Sequence, residues 1–326
     1  MPDWTGAEDD STATRYRLFG ESQVHGISPR YEAICLGIAD DAEMLRRLDA
    51  LPRPKRQPNL LLGAVRFLGG PVESWPAFRA FALDRWDDVT ATMAVKRTQT
   101  NEPRRCATLL PVLAGLPGPL ALLEVGASAG LCLYPDRYGY RYESDIGTHA
   151  LGDGPRLDCR TTGAVPLPAA VPTVAWRAGL DLNPLDVRDD EDVRWLEALI
   201  WPEQTDRFGL LRDAVTIARR DPPRIVAGDL LTDLTPLAAE APPGATLVVF
   251  HSAVLAYVDR DGRLAFADLV RRLAEQRPTV WVSNEAPGVV AGTERPGEHR
   301  RFVLARDGLP VALTGPHGHT IDWLAG

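Results

Sequence analysis

The sequence has little lysine, little cysteine and no long apolar run. Lys55 and Lys96 are the only lysines among its 36 basic residues, and its net charge is −8. A general nucleic-acid binder usually presents a basic face, so this charge argues against general nucleic-acid binding. No run approaches the roughly 20 apolar residues that a membrane-spanning helix needs. We therefore expect neither general nucleic-acid binding nor a membrane as a partner.

The 4 cysteines are scattered along the 326 residues and form no Cys-x-x-Cys pair. This spacing provides no zinc site, and a chain of this size rarely depends on a disulfide framework. We interpret the cysteines as small buried hydrophobic residues in a reducing compartment. The first residues, "MPDWTGAEDD", lack the apolar segment of a signal peptide. Together these features predict a cytoplasmic protein without a metal site.

Residues 1–118 predict a helical region, which we expect to act as a lid that selects the acceptor. Ser28 followed by Pro29 is typical of a helix start. The aromatic residues Phe78 and Phe81 recur at helical spacing and predict one buried stripe in a helical core.

From residue 119 onwards, short apolar runs alternate with helical segments. The runs predicted as strands are 119–126, 173–180, 223–228, 245–254 and 278–286. This alternation predicts a parallel sheet with helices on both faces. Asp307-Gly308 lies between two further apolar runs and predicts a C-terminal antiparallel hairpin. We therefore predict an α/β fold with a Rossmann-like sheet of the class I methyltransferase type over residues 119–326.

Residues 134–172 interrupt this pattern with a segment rich in Gly, Pro and Tyr. We interpret the segment as a β-hairpin insertion between the helix predicted after the first strand and the second strand of the sheet. The alternative is that "YGYRYE" within it is itself the second strand.

The stretch "LLEVGASAG", residues 122–130, matches two different templates. Gly126, Ser128 and Gly130 match the G-x-S-x-G nucleophile elbow of esterases and lipases. The remaining members of a triad would be Asp229 and either His317 or His319. Against a hydrolase, Glu124 would place a carboxylate close to the oxyanion site.

The second template is a strand followed by a turn of small residues and a helix, which together bind a nucleotide cofactor. Gly126 would allow the turn and the approach of the ligand, and Gly130 would let the helix pack closely against the strand. Ser128 would replace the middle glycine of the usual motif and cap the helix. Glu124 could accept a hydrogen bond from the amino group of a methionine moiety.

Ligands in this class of fold bind outside the carboxyl ends of the strands. Asp181 would bind ribose there, with Glu143 as the alternative if "YGYRYE" is the second strand. Asp229 would bind the adenine amino group, or cap a helix instead. His251 ends the fourth strand and could act as the catalytic base, or only bond to a neighbouring loop.

Two further groups are weaker candidates for the acceptor site. The block "QTNE", which is Gln99, Thr100, Asn101 and Glu102, could bind the acceptor or cover the cofactor. The alternative is that Asn101 caps a helix over residues 103–116. Asn284 and Glu285 follow the fifth strand as candidates of the same kind.

Six blocks of the sequence carry a resemblance to a known family: "QTNE", "LLEVGASAGLCL", "DRYGY", "GLDLNPLDV", "WPE" and "VVFHSAVLAYV". They resemble a bacterial family catalogued as a domain of unknown function, from about residue 15 to the C-terminus. The resemblance implies a fold like that of S-adenosylmethionine-dependent methyltransferases and implies no substrate. Ser128 departs from the Gly-x-Gly-x-Gly pattern that such enzymes commonly have.

The sequence therefore predicts an S-adenosylmethionine-dependent methyltransferase with a small-molecule acceptor. The alternatives are an α/β-hydrolase that uses Ser128 and a cofactor-binding protein without catalytic activity. The acceptor and the oligomeric state are left open by the sequence.

Overall fold

The computed structural model describes residues 11–99, 101–295, 297–298 and 301–324. The chain divides into two compact units, which we call the helical unit (residues 3–100 and 189–209) and the sheet unit (residues 101–188 and 210–326). The division differs from the predicted one, which lay between residues 118 and 119. Residues 101–118 group with the sheet, and residues 189–209 return to the helical unit.

The helices are numbered along the chain. They are α1 (Thr12–Leu18), α2 (Pro29–Ala39), α3 (Ala42–Asp49), α4 (Pro58–Phe67), α5 (Trp75–Asp84), α6 (Trp86–Val95), α7 (Arg105–Leu113), α8 (Asp190–Leu199), α9 (Thr205–Arg220), α10 (Leu234–Ala238) and α11 (Arg260–Gln276). In the described ranges, no helix has both the length and the apolar sequence required to cross a bilayer.

The helical unit confirms the predicted helix start at Ser28-Pro29. Of the two aromatic residues in the predicted stripe, Phe78 is fully buried and Phe81 is half-buried. The Ser28 hydroxyl accepts a hydrogen bond from the backbone N–H of Tyr31, and Pro29 is the first residue of α2. Helix α8 joins this unit because Trp195 packs edge-on against Phe67 of α4, with ring centroids 5.7 Å apart. The indole N–H of Trp195 also donates to the carbonyl of Arg97 at 2.9 Å.

The described residues of the sheet unit form one sheet of 11 strands. The strands are β1 (Leu120–Val125), β2 (Gly139–Ser144), β3 (Gly147–Leu151), β4 (Arg156–Thr162), β5 (Val174–Asp181), β6 (Arg224–Ala227), β7 (Thr246–Ser252), β8 (Thr279–Glu285), β9 (Phe302–Arg306), β10 (Leu309–Thr314) and β11 (Thr320–Trp323). Their order across the sheet is β3-β2-β4-β11-β10-β9-β8-β7-β1-β5-β6.

The predicted α/β class is confirmed, with a sheet that is largely parallel. The strands β6, β5, β1, β7 and β8 pair in parallel in that order. The predicted C-terminal hairpin is also confirmed, because β9 and β10 pair antiparallel around Asp307 and Gly308. Strand β9 pairs antiparallel with β8 and so joins the hairpin to the parallel core.

The tyrosine-rich segment is an insertion, as predicted, and it extends the sheet from its other end. Strand β5 lies next to β1, whereas β2 lies between β3 and β4. Glu143 on β2 is therefore wrong as the alternative ribose-binding residue. The tyrosines are buried because their hydroxyls find backbone acceptors: Tyr138 donates to the Leu131 carbonyl and Tyr142 to the Ala107 carbonyl, each at 2.7 Å.

Side chains of β1 alternate between two faces of the sheet. Leu123 and Val125 point to one face, where they join a core with Val249 and with Phe266 of α11. We call this the α11 face. Glu124 points to the opposite side, which we call the Glu124 face.

All 4 cysteines are buried and free, as the sequence predicts.

The core on the α11 face predicts a large effect of truncating β1. Leu123→Ala should lower the free energy of unfolding by about 3 kcal/mol, because the side chain is fully buried and leaves a cavity. Leu309→Ala, at a side chain that is 72% exposed, is the matched control and should cost less than about 0.5 kcal/mol. Urea unfolding followed by circular dichroism measures both. Equal losses would contradict the assignment of this core.

Candidate functional site

The segment after β1, residues 126–131, reverses the chain and is called the β1 loop below. Gly126, Ser128 and Gly130 all have left-handed backbones, with φ of 71°, 51° and 71°. Residues 126–138 are all described, and they contain no α-helix, only a single 3-10 turn at Leu131–Leu133. The predicted helix after this turn is therefore wrong, and no helix N-terminus is available there for a phosphate or a cofactor.

Two side chains from elsewhere in the sheet unit hold the β1 loop. Asp181, at the end of β5, accepts the backbone N–H of Ser128 at 2.8 Å through its Oδ2 atom. Asn101 accepts the N–H groups of Ala129 at 3.3 Å and Leu131 at 3.4 Å through its Oδ1 atom. Asn101 is therefore not a helix cap, since α7 begins at Arg105. It lies instead beside the loop that was predicted to bind the cofactor.

The two glycines of the β1 loop permit close packing within the protein. A Cβ atom on Gly126 would lie 2.3 Å from Cγ2 of Val254, and one on Gly130 would lie 2.8 Å from Cδ1 of Ile225. The space in front of Gly126 is thus filled by a side chain. The sequence-based expectation that this glycine leaves room for a ligand does not match this packing.

Three polar atoms around the β1 loop are buried and have no hydrogen-bond partner in the described part of the chain. They are Oε2 of Glu124, Oγ of Ser128 and Nδ2 of Asn101. Glu124 is 7% exposed and Ser128 is 4% exposed. Buried polar atoms are nearly always satisfied by protein, water or ligand. The cluster therefore offers one acceptor-rich carboxyl, one hydroxyl and one amide N–H₂ to a polar ligand.

Burial raises the pKa of Glu124 well above its ordinary value of 4.5, and the neighbouring Cys132 thiol adds to the shift. Arg105 opposes the shift through its positive charge. The ligand-free site therefore favours the protonated, neutral carboxyl. A cationic group that approached Oε2 would favour the ionised form instead.

Asp181 and Asp229 follow neighbouring strands, as predicted. The second carboxylate oxygen of Asp181, Oδ1, accepts the N–H of Asn183 at 2.7 Å. Asp229 is exposed and accepts the N–H of Leu231 at 2.8 Å, so it closes a turn ahead of α10. Its predicted contact with adenine stays a prediction.

His251 is fully buried, and both of its ring nitrogens are engaged. Nδ1 lies 2.6 Å from Oε1 of Glu285, and Nε2 accepts the indole N–H of Trp281 at 2.9 Å. The ring also packs edge-on against Phe266, with centroids 5.6 Å apart, so it lies on the α11 face. A general base needs a free nitrogen within reach of its substrate. This arrangement does not support the predicted catalytic role of His251.

The "QTNE" block is split between the two units. Gln99 belongs to the helical unit, and Asn101 and Glu102 belong to the sheet unit. Thr100 lies outside the described residues, so its predicted role stays a prediction. Glu102 is buried, and its carbonyl accepts the thiol of Cys132 at 3.4 Å.

Sequence reasoning missed two arginines, Arg104 and Arg105, that follow this block after Pro103. Arg105 is buried and donates to the carbonyls of Ser252 and Pro316, each at 3.0 Å. Nη1 of Arg104 lies 2.5 Å from Nδ1 of His319. Their position next to a polar block was the only available signal, and it is weak in a sequence whose basic residues are nearly all arginine.

The hydrolase triad is not assembled. Since Oγ of Ser128 has no hydrogen-bond partner among the described residues, neither His317 nor His319 bonds to it. His319 contacts Arg104, and Asp229 contacts the backbone of its own turn. A nucleophile elbow also leads into a helix, which the β1 loop does not.

The fold and the site thus define an α/β protein with polar groups gathered at the carboxyl ends of parallel strands. Residues 13–323 match the model of a family described as "Uncharacterized protein conserved in bacteria (DUF2332)". The chain belongs to this bacterial family, and the range agrees with the predicted resemblance. No curated protein and no solved structure matches the chain.

The contact between Gly126 and Val254 predicts coupled effects on stability. Gly126→Ala should cost about 2 kcal/mol or more, because a Cβ atom would clash with Val254 and because φ is 71°. Val254→Ala removes the clashing methyl groups. The double variant should therefore lose about 1 kcal/mol less than the sum of the single losses. Strict additivity in urea unfolding would show that the two side chains do not meet.

The raised pKa of Glu124 predicts a pH-dependent loss of stability. Above pH 4.5 the unfolded chain ionises this carboxyl while the folded chain keeps it neutral, so stability falls as pH rises towards the folded pKa. Glu124→Gln should remove this loss, and its stability relative to the wild type should rise with pH above 4.5. Urea midpoints measured across pH test this.

Glu43→Gln is the control with the opposite sign. Hydrogen bonds from Arg47 and Arg46 lower the pKa of Glu43, so its contribution to stability is present above 4.5 and is lost in acid. Parallel pH profiles for wild type and Glu124→Gln would show that Glu124 is not neutral in the folded protein.

Proposed function

We propose that this chain binds S-adenosylmethionine at the carboxyl end of β1 and transfers its methyl group to a small-molecule acceptor. The observation that carries the proposal is the cluster of buried, unpartnered polar atoms on Glu124, Ser128 and Asn101. An α-amino acid group needs an acceptor for its ammonium and donors for its carboxylate. The Glu124 carboxyl supplies the acceptor, and the Ser128 hydroxyl and the Asn101 amide supply the donors.

Groups suited to a nucleoside lie next to this cluster. Each carboxylate oxygen of Asp181 accepts one backbone N–H and keeps a lone pair for a ribose hydroxyl. Leu182 is 71% exposed and Leu231 is 37% exposed, although both are apolar. Exposed apolar side chains beside a polar site suit the flat face of a base. The chain thus has groups suited to both the amino acid end and the nucleoside end of S-adenosylmethionine.

Methyl transfer needs mainly alignment of donor and acceptor. When bound, S-adenosylmethionine supplies an electrophilic methyl group on a sulfonium. The protein's part would be to fix the amino acid end through Glu124 and to hold the β1 loop through Asp181 and Asn101. The largely parallel sheet with its C-terminal hairpin supports a methyltransferase type of fold, and we place the enzyme in the cytoplasm.

A cofactor-binding protein without catalytic activity is the second candidate. It is favoured by the engagement of both ring nitrogens of His251, which leaves neither nitrogen free to act as a base. Such a protein would bind S-adenosylmethionine without turnover of any acceptor. The hydrolase alternative predicts that a fluorophosphonate probe labels Ser128, and we expect no labelling because the triad is not assembled.

Calorimetric titration with S-adenosylmethionine and S-adenosylhomocysteine tests the proposal. We expect binding by the wild type, with proton release as Glu124 ionises against the ammonium, so the heat should depend on the buffer. Glu124→Gln should weaken binding about 10- to 100-fold, since a charge-assisted hydrogen bond is worth roughly 1.5–3 kcal/mol.

Glu143→Gln is the matched control, because this glutamate on β2 is half-exposed and far from β1 across the sheet. It should keep the affinity of the wild type. Absence of binding heat from a folded sample with either ligand would refute the proposed function.

A further inference from the structure

Ser252, the residue after His251, points to the same side of the sheet as Glu124. Strand β7 pairs with β1 in a register that places Phe250 opposite Glu124. Residues two apart on a strand share a face. Ser252 therefore lies on the Glu124 face, level with Gly126, whereas the ring of His251 lies on the α11 face.

A buried chain of hydrogen bonds fixes the Ser252 hydroxyl. Asn284 lies opposite Ser252 on β8, and its Nδ2 donates to the Ser252 Oγ at 3.1 Å. The hydroxyl of Thr314 donates to Oδ1 of Asn284 at 2.7 Å. Asn284 and Thr314 are both fully buried, whereas Ser252 is partly exposed. Arg105 holds the same residue through its carbonyl at 3.0 Å.

These hydrogen bonds leave part of the hydrogen-bonding capacity of the Ser252 hydroxyl unused. A serine hydroxyl has one hydrogen and two acceptor lone pairs, and Asn284 occupies one lone pair. One lone pair and one hydrogen remain for a ligand. A buried side chain that orients a partly exposed one is typical of the support behind a functional group.

We propose that Ser252 is the acceptor-anchoring residue of the site, with Asn284 and Thr314 as its positioning residues. This inference rests on the proposed function. The acceptor is a small amine or alcohol whose N–H or O–H donates to the free lone pair of Ser252. The nitrogen or oxygen of the acceptor then turns its own lone pair towards the methyl group and bonds to the methyl carbon. The carbon–sulfur bond of the sulfonium breaks with its electron pair left on sulfur, and the acceptor's proton goes to solvent.

The test replaces the Ser252 hydroxyl by a thiol, which becomes methylated if it lies next to the methyl group of bound S-adenosylmethionine. In Ser252→Cys, the introduced thiolate sulfur forms a bond to the methyl carbon of S-adenosylmethionine. The carbon–sulfur bond of the sulfonium breaks, its electron pair stays on the departing sulfur, and the thiol proton goes to the buffer. Intact-protein mass spectrometry should show a gain of one methylene mass, and peptide mapping should place it at position 252.

Two controls accompany this variant. Ser144→Cys introduces a thiol at a partly exposed serine on β2 and should stay unmodified. The wild type, with its 4 buried cysteines, should also stay unmodified. Methylation at all of these thiols alike would show non-specific chemistry and would overturn the proposal.

The positioning residues are tested in the Ser252→Cys background. Thr314→Val and Asn284→Leu should each slow the modification, by about tenfold for the second, because misplaced reacting atoms lose rate steeply. Their affinity for S-adenosylmethionine should stay the same, which a general loss of structure would not allow. Because Thr314→Val is nearly isosteric, it still tests the positioning role if the Asn284→Leu variant does not fold.

The outcomes separate the two proposals. If calorimetry detects no binding of S-adenosylmethionine to the wild type, the proposed function fails. If S-adenosylmethionine binds and the Ser252→Cys thiol is not methylated, the proposed function stands and the role of Ser252 is refuted.

Discussion

The β1 loop depends on hydrogen bonds from side chains that are distant in sequence. Three of its residues have left-handed backbones, and one of these, Ser128, is not a glycine. A left-handed backbone is costly for a residue other than glycine, so the conformation of Ser128 persists only because its surroundings determine it. Asp181 and Asn101 provide this support through backbone N–H groups of the loop. Val254 packs against Gly126 from the other side and is itself held by a hydrogen bond from its N–H to Glu285.

The carboxyl of Glu124 is buried beside the β1 loop. Glu124 is 7% exposed at the end of β1, next to this loop, and burial raises its pKa. An unpaired buried polar atom such as Oε2 of Glu124 costs stability that a protein has in only small excess. In the proposed function, the ammonium group of the ligand would give Oε2 of Glu124 the partner that it does not have among the described residues.

Much of the sheet could be predicted from the sequence, but the end of the sheet where β4 pairs with β11 could not. Short apolar runs bounded by turn residues predicted β1, β5, β6, β7 and β8, and Asp307-Gly308 predicted the C-terminal hairpin. The pairing of β4 with β11 joins residues about 160 positions apart, for example Arg160 with Thr320, and no local pattern reports such contacts.

The errors at the site have identifiable causes. The template for a cofactor loop predicted a helix after β1, but Gly130 is left-handed and Pro135 follows too soon for a helix to form between them. His251 was predicted as a base because an imidazole can accept a proton near neutral pH. Which of two adjacent residues shares a face with Glu124 depends on the register between β1 and β7, and the sequence does not contain that register.

The central claim is that the β1 loop and Glu124 form a ligand site. Hydrogen exchange followed by mass spectrometry, with and without S-adenosylhomocysteine, tests it most directly. We predict slower exchange confined to peptides that cover residues 122–131 and the segment after Asp181, with the β2–β3 hairpin unchanged. Unchanged exchange across residues 122–131 at a saturating ligand concentration would contradict the account.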